Sequence, residues 1–222
     1  MALDFPGSPS NGQIFNGYVY DTSLPGWRNI NASQSQSVAL QYTSGLTPLI
    51  PTSVTVSSGA ATVGSTGTVT FTNAGTMQLN GIFSTAYSYY HVKVQTIGKS
   101  SNSSMRFCTS GTPNSSASYN WTMFVVRSST TSTGYGGGGA TSVYDFTYGA
   151  DTNNSVISMD FFNPMTSTER TMIQYQQSGP GLESRFGAAE FGTASTTFDG
   201  FQIYPLNGAG TYTGKISVYG YR

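Results

Sequence analysis

The chain has 222 residues, nine Lys+Arg against nine Asp+Glu, and a charged fraction of only 8%, where an average globular domain carries roughly 25%. A formal net charge of +0 leaves no basic patch for a phosphate backbone, and no apolar run approaches the ~18–20 residues of a membrane-spanning helix. An aromatic fraction of 14% excludes simple disorder, although Ser, Thr, Gly and Asn fill nearly half of the sequence.

Residues 1–36 are rich in Pro, Gly and Asn. The start, MALDFPGSPS, lacks the basic and apolar regions of a secretory signal. The expectation is therefore a chain that stays where it is made or leaves by another route, such as inside a virus particle. Pro6, Pro9 and Pro25 fit neither a helix interior nor a central strand. The segment reads as an extended N-terminal arm, with a small hairpin at Asn16-Gly17, a dipeptide suited to φ > 0 turns. Its apolar residues Leu3, Phe5, Ile14, Phe15, Tyr18 and Trp27 are spaced by Gly, Ser and Asn and cannot form a core by themselves. With Pro6 they are the expected contacts of an attachment arm.

Residues 37–83 form a second region of short strands, around Val54/Val56, Val69/Phe71 and Met77/Leu79, separated by turn-forming Ser, Gly and Asn. From 84 to 222 the strands lengthen into the expected body. In 89–97, Tyr90, Val92 and Val94 fall on one face and His91, Lys93 and Gln95 on the other, the period of a strand with one wet side. Segments 104–109, 119–127, 142–147, 155–162, 170–177, 184–191, 199–204 and 214–221 alternate similarly. The run Gly134–Ala140 reads as a flexible loop able to mould to a partner. No apolar stripe of helical length occurs, and Pro164–Thr171 allows a single turn. Strands at 8–12 residue spacing predict an all-β antiparallel sandwich of jelly-roll type.

Residues suited to chemistry are few. A Ser/His/Asp relay needs a histidine, and His91, alone of its kind, reads as a solvent-facing strand residue. Cys108 lies in a strand pattern and reads as a small half-buried hydrophobe. One His and one Cys cannot supply a zinc site. Asp151-Thr152-Asn153-Asn154 offers loop oxygens without the spacing of a calcium loop, and reads as a polar turn. No catalytic residue, cofactor or metal ligand is expected. Tyr119 and Trp121, at alternate positions of one strand, fit a core, a subunit interface or a glycan contact.

Two stretches resemble a known class of protein. Ala2-Leu3-Asp4-Phe5-Pro6, then Ser8-Pro9, Gly12-Gln13, Phe15, Tyr18, Tyr20 and Trp27, resembles a short amino-terminal module of structural proteins from tailed bacteriophages. Here Asp21–Gly26 lengthens the connection before Trp27. Tyr90-x-Val92-x-Val94, Met105-x-Phe107 and the closing Gly214–Tyr221 are similar to β-sandwich domains of phage minor structural and fibre proteins. The resemblance implies a virion component without a catalytic site, one that binds the major capsid protein or other virion proteins. Together with the low charge it also implies a homotrimer. The neutral charge and the lack of a long apolar run leave neither nucleic acid nor membrane as an expected partner. Two roles follow. One is a capsid decoration or cement protein on the head shell. The other is a tail fibre or receptor-binding protein whose sandwich recognises host surface glycan. Short length without a shaft favours decoration.

Overall fold

The computed structural model describes residues 8, 10–11, 14–15, 18–21, 26–29, 45–127, 132–147, 155–179, 183–206 and 208–221. The chain divides into two compact units, Met1–Gly45 and Leu46–Arg222.

The first unit contains a three-stranded antiparallel meander of β1 (Ile14–Phe15), β2 (Tyr18–Asp21) and β3 (Gly26–Asn29). Phe15 pairs with Tyr18, as the hairpin expected around Asn16-Gly17 requires, and Tyr20 pairs with Trp27. The segment thus carries more structure than an extended arm with one hairpin. Alternating aromatic and β-branched residues such as Tyr18-Val19-Tyr20 favour the pleated, paired state over an isolated extended chain.

The second unit begins with five short strands: β4 (Leu46–Leu49), β5 (Ser53–Val56), β6 (Ala60–Val63), β7 (Val69–Ala74) and β8 (Met77–Asn80). Then follow β9 (Tyr89–Lys99), β10 (Ser103–Thr109), β11 (Thr112–Pro113), β12 (Tyr119–Arg127), β13 (Thr133–Ala140) and β14 (Val143–Thr147). The last five are β15 (Ser155–Phe162), β16 (Met172–Ser178), β17 (Glu183–Phe191), β18 (Gly200–Pro205) and β19 (Tyr212–Tyr221). No helix occurs among the described residues, and Pro164–Thr171 forms turns.

These strands build two antiparallel sheets packed face to face, a β-sandwich. One has six strands in the order β11-β10-β18-β8-β5, with β14 also on β10. The other has ten, in the order β13-β12-β17-β16-β15-β9-β19-β7-β6, with β4 also on β19. Strands from 46–80 enter both sheets, so the short-strand region and the body share one sandwich. Gly134–Ala140, expected to be a loop, lies in β13, paired along β12.

The core follows from alternation. In β16 Ile173, Tyr175 and Gln177 are buried while Met172, Gln174 and Gln176 are exposed. Aromatic contacts bridge the sheets: Phe161 on β15 stacks with Phe201 on β18 at 5.5 Å, and Phe107 on β10 with Tyr119 on β12 at 6.0 Å. Such pairs add about 0.5–1.5 kcal/mol each beyond their buried area. One charged group is also interior. Arg185 and Glu183 are 3% and 6% exposed, and Glu183 accepts from Arg185 Nε and Arg127 Nε, each at 2.8 Å.

Candidate functional site

The outer face of the ten-stranded sheet carries the feature best suited to binding. Strand register sorts its side chains into three rows that run across six strands, β12-β17-β16-β15-β9-β19. The first row is Asn120, Glu190, Met172, Phe162, Tyr89 and Tyr221. The middle row is Thr122, Ala188, Gln174, Asp160, His91 and Tyr219. The third is Phe124, Phe186, Gln176, Ser158, Lys93 and Ser217.

Side-chain size makes the middle row a trough. Ala188 and Thr122 are short, and Gly136 stands beside Thr122 at the end of the row. Taller neighbours rise on either side. Met172 and Phe186 are 46% and 44% exposed, and Phe162 meets Tyr89 edge to face at 5.4 Å. The result is a groove of about 530 Å³ walled by Phe162, Met172, Gln174 and Glu190. Two further depressions, of about 540 and 340 Å³, adjoin it, and Ala188 lines all three. Those volumes fall within the ~300–1,000 Å³ of small-ligand sites.

The polar groups of the trough are held in place. Glu190 Oε1 accepts from Asn120 Nδ2 at 2.9 Å and from Arg170 Nη1 at 2.8 Å. These two hydrogen bonds, Asn120 first, hold the Glu190 carboxyl below its ordinary range, so it stays an acceptor. Asn120 Oδ1 in turn accepts from the Gly139 amide at 3.2 Å. The Gln174 side chain has no hydrogen-bond partner among the described residues.

Further along the row, His91 departs from the expected free, solvent-facing residue. Its side chain is only 15% exposed, with Nδ1 2.7 Å from Asp160 Oδ1 and Nε2 3.4 Å from Ser158 Oγ. The order Asp–His–Ser is that of an acyl-transfer relay. Ser158, however, is paired with Lys93 on one side and Gln176 on the other, so the backbone amides around it are committed to the ladders. An oxyanion pocket needs such amides uncommitted.

The expected contact residues fall in different places. Leu3, Phe5 and Pro6 lie outside the described residues, as does the Asp151–Asn154 loop. Ile14 and Phe15 are in β1, half-buried Tyr18 in β2 and Trp27 in β3. Tyr119 is 0% exposed and belongs to the core, so it is no contact for glycan or partner. Trp121 is half-buried and stacked on Tyr144 at 5.7 Å, and it also lines the groove. Its indole lies against β13, where a Cβ at Gly137 would come 3.0 Å from Trp121 Nε1. Cys108 is fully buried rather than half-buried, and burial, then the nearby Asp199, push its thiol up to about 12. Among the described residues no group of three His, Cys, Asp or Glu side chains is placed to hold a metal ion. No helix there is long and apolar enough to cross a membrane.

Apart from His91 and Trp121, the residues of the trough and its row were not singled out from sequence. Positions 91, 122, 160, 174 and 190 meet only through strand pairing. A signal did exist in Phe124, Phe162, Met172 and Phe186, apolar residues on positions that alternation assigns to the wet face.

No family model and no curated protein matches the chain. Among solved structures it is similar to a human SPRY domain at 10% identity, covering 69% of this chain and 97% of that one, with a TM-score of 0.25. It is also similar to SO2946, a protein of unknown function from Shewanella oneidensis MR-1, at 10% identity and 82% of each chain, with a TM-score of 0.22. Likeness at this level carries no argument about function.

Proposed function

We propose that the chain is a structural component of a tailed-phage virion, with Met1–Gly45 as its attachment unit and the sandwich as its displayed body. The observation that carries this reading is the division of the chain at Gly45 and Leu46. It falls just beyond the segment whose motif resembles the amino-terminal module of phage structural proteins. Both sheets of the sandwich lie wholly within the second unit.

On the particle the chain acts as a capsid decoration protein, gripping the major capsid protein or a neighbouring virion protein. Among the described residues the chain forms a small meander and one sandwich rather than a repetitive shaft, which supports decoration. It works as a homotrimer. With a net charge of +0 there is little self-repulsion to keep copies apart, and a closed trimer suits the threefold positions of a shell.

The test is to separate particles into heads and tails and quantify the chain in each by mass spectrometry. Recovery with heads supports decoration, recovery with tails the fibre reading, and absence from both overturns the virion assignment. Light scattering of the purified chain should give three times 23.5 kDa; a monomer at micromolar concentration overturns the trimer.

A further inference from the structure

We infer that the trough on the outer face of the ten-stranded sheet binds a neutral oligosaccharide laid across the strands. From Thr122 on β12 to Asp160 on β15 the lined part of the middle row crosses three strand spacings, roughly 14 Å at ~4.8 Å each. That is the extent of a short oligosaccharide rather than of a single sugar ring.

The chemistry of the walls selects the occupant. Sugars present apolar C–H faces and rims of hydroxyls. Exposed Met172 and Phe186 and half-buried Phe162 supply apolar walls for the first. Gln174 supplies an uncommitted amide, both donor and acceptor, for the second. Glu190 is fixed through Oε1 by Asn120 and Arg170, which keeps a preoriented carboxylate at the groove. Planar groups held before the ligand arrives reduce the ordering cost of binding.

Other occupants fit less well. An extended peptide is held through its backbone at a sheet edge, whereas the strands beneath the trough pair on both sides. Anionic ligands would need spare cations, but Arg170 is engaged by Glu190 and His91 lies against Asp160. Lys93 lies in the third row and lines neither the groove nor the adjoining depressions. A purely apolar ligand would strip water from Gln174, Asp160 and Glu190 without replacing it.

As a receptor for a cell-surface saccharide, the site rests on the reading of the sandwich as a displayed body. Sugar binding itself is measured without particles, so failure of one leaves the other standing. The full chain is applied to an array of neutral and anionic oligosaccharides of two to six units. Hits are then titrated by calorimetry, with Trp121 fluorescence as a second readout. The expected result is binding of a neutral oligosaccharide, tighter for four units than for two. Ala188→Trp, which fills the trough at an exposed position, should abolish it, and Gln174→Ala should weaken it about tenfold. Lys215→Ala, on β19 outside the trough, should leave it unchanged. Should Ala188→Trp misfold by circular dichroism, Gln174→Ala decides. No neutral oligosaccharide bound, only anionic glycans bound, or both trough variants binding like the unaltered chain would each overturn the inference.

Discussion

The hydroxyl of Tyr119, carried by β12 of the ten-stranded sheet, accepts the backbone amide of Phe107 in β10 of the six-stranded sheet at 3.0 Å. It donates in turn to the Asn114 carbonyl at 3.0 Å. Phe107 lies between the residues of β10 that pair with β14 and those that pair with β11. Its amide is there completed by a side chain from the opposite sheet. Burial raises the Tyr119 pKa, so the phenol remains a donor throughout the physiological range.

Tyr119→Phe removes that group and leaves a buried N–H and a partly buried carbonyl short of partners. The expected cost is about 1–3 kcal/mol, read as a lower urea midpoint with the m-value unchanged. Equal stability would mean that water or another group replaces the hydroxyl.

The buried ion group gives a larger effect. Glu183 holds the 3%-exposed Arg185 and also Arg127. Glu183→Ala leaves a buried guanidinium without its carboxylate, a change worth about 3–5 kcal/mol in comparable cases. Other contacts of Arg185 place the result at the lower end. Denaturant unfolding checks it, and a loss under 1 kcal/mol, roughly the value of a surface pair, would show the cluster to be solvated.

Cys108 should be inert in the folded protein. A thiol reagent at neutral pH is expected to label it only in denaturant, since burial holds the thiol protonated. The pH dependence follows from the raised folded pKa. The contribution to stability is full below the ordinary thiol value of 9.0 and is lost as pH rises from there towards about 12. Rapid labelling of the native chain would contradict the packing.

His91→Ala should leave the fold intact. Its partner Asp160 is 46% exposed and stays hydrated when the imidazole is removed, so the expected loss is about 1 kcal/mol or less. Urea unfolding measures this. Hydrolysis of a p-nitrophenyl ester by the unaltered chain, lost in this variant, would instead make the Ser158–His91–Asp160 row catalytic.

Much of the sandwich was legible because one buried face imposes a period of two. The segment 119–127 coincides with β12 and 155–162 with β15, and the faces assigned to Tyr90, Val92 and Val94 against His91, Lys93 and Gln95 match the observed burial. β13 was not legible as a strand, because Gly136–Gly139 have no side chains to alternate. There glycine serves close packing under Trp121 and keeps one end of the trough low. Tyr119 and Trp121 were legible as a pair of inward or outward aromatics but not as which. Alternation separates two faces without saying which meets the second sheet. The trough was hidden for a related reason, since its rows depend on register between strands distant in sequence.

The most direct test of the account is removal of the attachment unit. The chain lacking residues 1–45 retains both sheets of the sandwich, so it should give the same β circular dichroism spectrum and cooperative unfolding as the full chain. Mixed with particles that lack the protein and sedimented, the full chain should pellet with them and the truncated chain should remain in the supernatant. A folded, truncated chain that pellets at full occupancy would contradict the account and move attachment to the sandwich.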